Sequence, residues 1–594
     1  MDPVTISVVR GALEALGDEM DQHLIRAAIS PIISETNDCA HGIFHPETGE
    51  TIAQGRIGLP VFLANMQFTV QNVIAKAKAA GGFRPGDVWI LNDPYLGGTH
   101  LPDVNLVAPH FVGDELVALF ANTGHWMDIG GSVPGGWAPK ARSIHEEGII
   151  IPAVRLYDRG RLNEPLVEMF RANVRLPDQI VGDLSAMTNV FELGRQGLDG
   201  LVRRYGLATI RACIEEMVVT SERQMRSYLA DIPDGVYLAE EWLDNDGIDD
   251  VPLRTNLRLE VRGDEMWLDF AGTAPAATGP MNLSRNTTLS TVYVALKHVF
   301  PDVPVNGGTF RPVHCSVPEG SVLAARYPSP VGGYLEVVSR VLDLVMGALA
   351  QAIPDKVPAA SFGTTGVVTI GGLHPTTDAY FVGVFPYPGG YGGWSGGDGL
   401  VNGTPPQSMA NFVSLEASEH RYPIRFDHFA IREGSGGAGE HRGGCGTSYG
   451  FRAWAPCDMS ILGDRADHGP GGVAGGHDAA ANSVRLLVDG VESTPPLRTK
   501  LDQQALGAGD GIRASSPGGA GWGDPFERAV EEIENDLNLG YISVAGAVDD
   551  YGAVVRQVAS IAGHGRYIVD PEATAVERKR RSEAATGAGR EVVA

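Results

Sequence analysis

Apolar residues recur at steps of three and four positions in several stretches of the chain, a period typical of helices that bury one face. The pattern predicts a helix over residues 4–30 and helical structure over 183–230, interrupted at Gly206. It predicts a further helix over 335–352 and another after Asp524-Pro525. Helices therefore account for only part of the chain, and the regions between them follow a different pattern.

Short apolar or alternating runs separated by glycine predict strands and loops from Ser34 to about Pro177, and again from Val236 onward. Two alternating runs flank Gly263-Asp264, which predicts a hairpin closed by a two-residue turn. Two other apolar runs flank Gly113-Asp114 and predict a second hairpin. These regions indicate a body rich in strands.

At about 100–200 residues per domain, a chain of 594 residues holds several domains. Its 77 glycines indicate many tight turns. We therefore predict a mixed α/β (α+β), multi-domain protein. A helix-containing N-terminal α/β region is expected over residues 1–235, a β-rich and glycine-rich C-terminal region over 236–570, and a disordered tail over 571–594.

Charge and cysteine content exclude several classes of protein. The formal net charge of −26 would repel phosphate backbones, so non-specific binding to nucleic acid is not expected. The five cysteines form no C-x-x-C pair, which argues against a thiolate zinc site and a disulfide framework. The chain shows neither a signal peptide nor a run of about 18 apolar residues, so we expect a soluble, cytoplasmic protein with no membrane span.

Two clusters of reactive side chains lie at the open end of the second hairpin, around His100-Leu101-Pro102-Asp103 and around His125. With a two-residue turn at Gly113-Asp114, His125 faces Pro102 and lies beside His100 and Asp103, within one residue of register. Two imidazoles and a carboxylate would form a three-ligand site with open positions on Zn²⁺, Fe²⁺ or Mn²⁺. The alternative is a glycine-rich loop with surface histidines.

Other motifs are weaker indications of a functional site. Glu35 and Asp38 are candidate acid–base groups, although they also suit a turn after the first helical region. The glycines of 434–439 match a dinucleotide fingerprint, but Glu440-His441-Arg442 follows them instead of a helix. The chain has no G-x-x-x-x-G-K-[ST] motif, so ATP chemistry would need another phosphate site or another chain.

A series of longer motifs extends along nearly the whole chain. It includes Asn92-Asp93-Pro94-Tyr95, Gly97-Gly98-Thr99-His100-Leu101-Pro102-Asp103, Asp128-Ile129-Gly130-Gly131, Asp269-Phe270-Ala271-Gly272-Thr273 and Gly518-Gly519-Ala520-Gly521-Trp522-Gly523-Asp524-Pro525. In this combination the chain resembles the hydantoinase B / 5-oxoprolinase / acetone carboxylase alpha-subunit family.

The resemblance implies a subunit that works in a hetero-oligomer with an actin-like ATPase of the hydantoinase A type. Some members of the family use ATP to open cyclic amides such as hydantoins, 5-oxoproline or lactams, and others carboxylate ketones. In the carboxylases two histidines and an aspartate hold a divalent metal, and their spacing maps onto His100, Asp103 and His125. We therefore expect one divalent ion, Zn²⁺ or Mn²⁺, in this chain and the use of ATP by the partner.

The expected reaction is ATP-dependent hydrolysis of a C–N bond in a cyclic amide. Asp128 is expected to orient the attacking water or a ligand imidazole, and Glu35 or Asp38 to move protons. The alternatives are a subunit of an ATP-dependent ketone carboxylase and a non-catalytic scaffold subunit. Phe62 stands where many relatives carry a histidine, which implies a more apolar substrate pocket here.

Overall fold

The computed structural model describes residues 2–561 and 564–588 and confirms a mixed helix-and-sheet, multi-domain protein. The helices are α1 (Pro3–Ala27), α2 (Pro31–Ser34), α3 (Pro60–Ala79), α4 (Glu164–Asn173), α5 (Pro177–Tyr205), α6 (Leu207–Ala230), α7 (Arg285–Val299), α8 (Tyr334–Ala350), α9 (Leu415–Arg421), α10 (Val530–Leu539), α11 (Val544–Asp549) and α12 (Pro571–Ala588). The strands are β1 (Cys39–Phe44), β2 (Thr51–Gln54), β3 (Val88–Leu91), β4 (Asp103–Val112), β5 (Glu115–His125), β6 (Val154–Asp158), β7 (Arg161–Leu162), β8 (Gly235–Leu243), β9 (Leu253–Arg262), β10 (Glu265–Asp269), β11 (Val313–Ser316), β12 (Val367–Leu373), β13 (Tyr380–Phe385), β14 (Ile424–Ile431), β15 (Thr447–Ala453), β16 (Cys457–Leu462), β17 (Ser483–Val488), β18 (Val491–Ser493), β19 (Lys500–Leu506), β20 (Gly511–Ser515), β21 (Val555–Ile561) and β22 (His564–Val569).

The strongly periodic helices lie where they are predicted. The helix predicted over 4–30 is α1, which ends at Ala27, shortly before the short helix α2 begins. The predicted interruption separates α5 from α6, and Gly206 has a φ of 82° there, a conformation that glycine adopts readily. The helices predicted over 335–352 and after Asp524-Pro525 are α8 and α10.

Helices α3, α4, α7 and α9 lie in regions that were predicted as strands and loops. Helix α7 buries a run of β-branched residues that includes Thr287, Thr291 and Val292. Such residues favour strands by intrinsic propensity, and burial on several sides removes the polar face that would mark a helix. Tertiary packing therefore overrides the local pattern in α7.

The prediction of a disordered tail from residue 571 is wrong for residues 571–588, which form α12. Asp570 immediately precedes the helix, and its carboxylate accepts a hydrogen bond from the Ala573 N–H group. The guanidinium of Arg578 donates to the carbonyl oxygens of Tyr551 and Arg528, which ties the helix to the rest of the protein. The predicted tail beyond residue 588 lies outside the described residues.

A seven-stranded sheet in the order β2-β1-β5-β4-β3-β6-β7 contains the predicted second hairpin, which is β4 and β5. Helices α1 and α3 pack against β1, and α5 packs against β4 and β5. Since both hairpin strands lie inside the sheet, the side chains at their open end are shielded from solvent.

The remaining strands form smaller sheets, in the orders β11-β10-β9-β8, β13-β12-β16-β19, β14-β15-β20-β17-β18 and β21-β22. The hairpin predicted around Gly263-Asp264 is confirmed as β9 and β10. Among residues 2–561 and 564–588, no helix has the length and apolar character needed to cross a bilayer.

The glycine-rich segments pack backbone against backbone. A Cβ atom on Gly443 would lie 1.7 Å from the carbonyl oxygen of Gly519, and one on Gly436 would lie 2.2 Å from that of Gly443. No larger residue fits at such separations. This packing accounts for Gly436, Gly437 and Gly439 without a bound nucleotide.

Candidate metal centre

The open end of the β4–β5 hairpin brings Asp103 directly opposite His125. The predicted register, in which Val112 faces Glu115, holds next to the turn. A bulge between His110 and Phe111 then shifts the pairing by one residue. The prediction that His125 faces Pro102 is therefore wrong by one position, and the shift places a carboxylate opposite the imidazole.

His100, Asp103 and His125 form one compact cluster, in which a potential ligand atom from each residue lies within 4.8 Å of the other two. His100 precedes β4, and its Nδ1 atom lies 2.6 Å from Oδ2 of Asp103. The exposed fractions of the three residues are 0%, 0% and 2%. The alternative of surface histidines on a glycine-rich loop is therefore excluded.

The remaining polar atoms of this cluster lack partners. His100 Nε2, Asp103 Oδ1 and both ring nitrogens of His125 are buried and have no hydrogen-bond partner in the part of the chain that the structure describes. Buried polar atoms almost always have a partner, so such a group calls for an explanation. Two imidazole nitrogens and a carboxylate oxygen are a donor set that Zn²⁺ and Mn²⁺ accept, and the residues therefore fit a divalent ion.

The electrostatics keep His125 and Asp103 in the form that binds metal. Burial, together with the neighbouring His100, lowers the pKa of His125 to about 3, so this imidazole is neutral at pH 7. Burial alone would raise the pKa of Asp103, but the adjacent His100 and His125 and a hydrogen bond from Thr99 lower it. Metal ligands must be deprotonated, and both groups meet that condition.

A second layer of residues surrounds the cluster. The Tyr334 hydroxyl, at the start of α8, lies 3.3 Å from Asp103 Oδ2, which also accepts a hydrogen bond from the Thr99 hydroxyl. The Trp137 ring is 4.8 Å from that of His100 and stacks against that of His125 at 6.1 Å. Sequence reasoning missed Trp137 and Tyr334, because no motif links residues so distant from the hairpin.

Asp38 is the predicted acid–base residue that the structure brings to the cluster. Its backbone carbonyl accepts a hydrogen bond from the His125 N–H group at 3.1 Å. Its Oδ1 atom is shielded from solvent and has no partner among the described residues. Burial and the charge of Asp103 raise the pKa of Asp38 well above its usual value.

Glu35 and Asp128, the other two predicted catalytic residues, make different contacts. Glu35 forms an ion pair with Arg421. Both carboxylate oxygens of Asp128 accept hydrogen bonds, from the backbone of Gly130, Gly135 and Arg175 and from the Arg175 guanidinium. These contacts indicate that Asp128 secures the loop after β5, and its role in orienting a water or an imidazole stays a prediction.

A cavity opens beside the cluster and is lined by His125, Trp137, Tyr334 and Asp38 together with mostly apolar residues. It encloses about 820 Å³, open solvent at its mouth included. Phe62 is buried but does not line this cavity, and Val61 lines it instead.

Comparisons with known proteins agree on one family. A family model described as Hydantoinase B/oxoprolinase matches residues 2–525. The beta subunit of the caprolactamase of Pseudomonas jessenii is 32% identical over 576 residues, which cover 93% of this chain and 96% of that protein. A putative D-/L-hydantoinase subunit of Pseudomonas sp. (strain NS671) is 30% identical over 569 residues, which cover 93% of this chain and 95% of that protein.

Solved structures match over nearly the whole chain. The crystal structure of the ATP-dependent caprolactamase from Pseudomonas jessenii has a TM-score of 0.87 at 29% identity and covers 98% of this chain and 100% of that one. A nucleotide-free acetone carboxylase structure has a TM-score of 0.89, covering 99% of this chain and 84% of that one. Its identity of 18% shows a shared fold alone.

Proposed function

Because the chain belongs to the hydantoinase B/oxoprolinase family, whose members named as hydantoinase, caprolactamase and 5-oxoprolinase act on cyclic amides, we propose that it is the metal-dependent subunit of an ATP-dependent amidohydrolase. The proposed substrate is a cyclic amide such as a hydantoin, 5-oxoproline or a lactam. The observation that carries this proposal is the set of buried atoms on His100, Asp103 and His125 that have no partner among the described residues and lie beside a mostly apolar cavity.

The chemical difficulty is the low reactivity of an amide. Phosphorylation of the amide oxygen by a partner makes the ring carbon more electrophilic. Water adds to that carbon, the C–N bond breaks as the ring nitrogen leaves with a proton, and the resulting acyl phosphate is hydrolysed to a carboxylate and phosphate. A divalent ion bound by His100, Asp103 and His125 supplies Lewis acidity and a water acidic enough to attack near neutral pH. The proposal thus divides the reaction between phosphorylation in the partner and hydrolysis in this chain.

The residues of this chain prepare the site for that attack. Asp103 orients the His100 ring through the 2.6 Å contact with Nδ1, which leaves Nε2 free for the ion. Tyr334 in turn orients Asp103. Asp38 lines the cavity, and its carboxyl group would accept a hydrogen bond from the attacking water.

The partner is proposed to be an actin-like ATPase of the hydantoinase A type. The hydantoinase and caprolactamase relatives are themselves named as subunits, which implies that each works with another chain. This sequence also lacks a G-x-x-x-x-G-K-[ST] motif. We place the hetero-oligomer in the cytoplasm, a reducing compartment that suits five unpaired cysteines.

Ketone carboxylation is the second candidate, favoured by the fold shared with acetone carboxylase. The same ion would then position the activated ketone or the carboxyl donor. ATP turnover that depends on bicarbonate would distinguish this reaction from amide hydrolysis. A scaffold without chemistry of its own is the third candidate, and it predicts that the purified chain holds no metal.

The proposed division of labour is tested by rapid-quench kinetics on the complex with its ATPase partner. His100→Ala should open the ring about 10³-fold more slowly than the unmodified complex while phosphate transfer continues, because the variant lacks an activated water. His110→Ala is the matched control, since His110 is also buried but lies within β4, where its Nε2 atom is 3.0 Å from Oδ1 of Asp199. Ring opening by His100→Ala at the unmodified rate would contradict the proposal.

A further inference from the structure

Glu147 connects two parts of the chain that meet at the candidate metal centre. It is only 1% exposed, and each carboxylate oxygen accepts one backbone hydrogen bond. Oε1 accepts from the Gly332 N–H group at 2.7 Å, and Oε2 accepts from the Val331 N–H group at 3.1 Å. A single residue then separates Gly332 from Tyr334, which begins α8 and contacts Asp103. Glu147 therefore holds the backbone just before the residue that contacts a ligand.

The backbone of Glu147 is held on the loop that follows His125. A Cβ atom on Gly131 would lie 2.6 Å from the carbonyl oxygen of Glu147, which leaves no room for a larger residue. The N–H group of Ile149 donates a hydrogen bond to the carbonyl oxygen of Ile129 at 3.0 Å. These contacts fix the start of the Glu147 side chain, so its carboxylate links the loop after β5 to the segment before α8.

Other contacts hold that segment on either side of the two N–H groups. The Tyr95 hydroxyl donates to the carbonyl oxygen of Ser329 at 2.7 Å. The Gly333 N–H group donates to the carbonyl oxygen of Pro280 at 3.0 Å. Loss of the contact with Glu147 should therefore let the segment shift without detaching it from the protein.

A small shift matters because the contact that depends on it is long. The Tyr334 hydroxyl lies 3.3 Å from Asp103 Oδ2, whereas hydrogen bonds between oxygens are usually about 2.5–3.0 Å long. A displacement of a few tenths of an ångström at the start of α8 would break it. The groups that orient metal ligands contribute to affinity for the ion, so the loss would weaken binding.

We propose that Glu147 is a positioning residue for the metal centre. It holds the start of α8 where the Tyr334 hydroxyl reaches Asp103, and it touches neither the ion nor the substrate. This inference rests on the proposed function, since the ion is part of that proposal.

The first test is the affinity of the full chain for Zn²⁺, measured by competition with a chelator of known affinity. An amide nitrogen cannot accept a hydrogen bond, so Glu147→Gln places a donor against one of the two N–H groups. The dissociation constant of Zn²⁺ should rise about 5-fold. An unchanged dissociation constant would overturn the inference.

Asp87→Asn is the matched control. Asp87 is fully buried, and its two oxygens likewise accept backbone hydrogen bonds, from Arg84 and Arg159. It precedes β3, at the end of that strand nearer the β4–β5 turn and away from the three ligands. The control should lose stability as Glu147→Gln does and keep the affinity for Zn²⁺.

A double variant separates positioning from general destabilisation. Tyr334→Phe lacks the hydroxyl, so adding Glu147→Gln to it should raise the dissociation constant by less than about 2-fold. The melting temperature should still fall in both backgrounds. A full 5-fold rise in the Tyr334→Phe background would contradict the proposed route through Tyr334.

Gly332→Ala disturbs the same contact from the other side and keeps the test decisive if Glu147→Gln does not fold. A Cβ atom on Gly332 would lie 2.9 Å from Glu147 Oε1, so the carboxylate must move. The dissociation constant of Zn²⁺ should rise as it does in Glu147→Gln. Gly347→Ala is the control, because Gly347 lies on α8 and a Cβ atom there meets no atom within 4 Å. Equal affinity in the two alanine variants would count against the inference.

A crystal structure of Glu147→Gln without added metal distinguishes this inference from the proposed function. The distance from the Tyr334 hydroxyl to Asp103 Oδ2 should increase beyond about 3.5 Å. If the unmodified protein binds no Zn²⁺, the proposed function fails, and this distance still decides whether Glu147 positions Tyr334. A distance that stays at 3.3 Å would overturn the inference.

Discussion

The hydroxyl of Tyr334 lies 3.3 Å from Oδ2 of Asp103, although the two residues are 231 positions apart in the chain. This contact joins the first residue of α8 to the first residue of β4. It leaves Asp103 Oδ1 free and fixes the orientation of the carboxylate. The candidate metal centre is therefore assembled from two distant parts of the chain.

Removal of that hydroxyl should weaken metal binding without abolishing it. Tyr334→Phe retains the ring that packs 4.7 Å from His100, so we expect the dissociation constant of the ion to rise about 10-fold. Competition with a chelator of known affinity measures this change. Tyr387→Phe is the control, because the Tyr387 hydroxyl is buried against Asn482 and away from the three ligands. An unchanged dissociation constant in Tyr334→Phe would show that the contact does not support the ion.

Asp128 and Arg175 should act as one structural unit. Asp128→Asn and Arg175→Met should each lower the melting temperature, and the double variant should lower it by less than the sum, because each single variant already breaks the same ion pair. The coupling energy should be about 1 kcal/mol or more, since Asp128 is fully buried. Loss of ring opening in Asp128→Asn with normal activity in Arg175→Met would instead restore the catalytic role suggested by the sequence.

Glu147 should make stability depend on pH. It is buried and accepts hydrogen bonds from the N–H groups of Val331 and Gly332, just before α8. Burial, with a smaller effect of the neighbouring Glu146, raises its pKa to about 8. In the unfolded chain the Glu147 carboxyl loses its proton at lower pH than in the folded protein. The contribution of Glu147 to the free energy of unfolding is therefore full below about pH 4.5 and is lost as the pH rises through 8.

Comparison with Glu147→Gln isolates this effect, because the variant has no proton to lose. The melting temperature of the unmodified protein relative to the variant should fall steadily between about pH 5 and pH 8. Differential scanning fluorimetry at matched ionic strength measures both proteins. A difference that is constant across this range would show that Glu147 keeps an ordinary pKa.

The purified chain should not hydrolyse ATP by itself, because its sequence contains no recognisable phosphate-binding loop. ATP turnover should appear only when the ATPase partner is added. Phosphate release from a preparation shown by mass spectrometry to be free of other chains would overturn the two-subunit account.

The sequence predicts the features that depend on residues close to one another in the chain. The hairpin, its turn and the cluster of His100, Asp103 and His125 follow from two apolar runs and the two-residue turn between them. The bulge after His110 could not be foreseen, because an extra residue in a strand depends on packing across the sheet.

The surroundings of the cluster depend on distant contacts and escaped prediction for that reason. Tyr334 and Trp137 reach the site through tertiary packing alone. Asp128 belongs to a motif near His125, yet its hydrogen bonds point to Arg175, which no local pattern indicates. Helices α3 and α7 were missed because buried helices lack a polar face.

The metal content of the purified protein tests the central claim most directly. Elemental analysis by mass spectrometry should find about one divalent ion per chain in the unmodified protein and in His110→Ala. His100→Ala, Asp103→Ala and His125→Ala should each retain almost none, because two protein ligands hold such an ion too weakly to survive purification. Full metal content in these three variants, or its absence from the unmodified protein, would contradict the assignment of the centre.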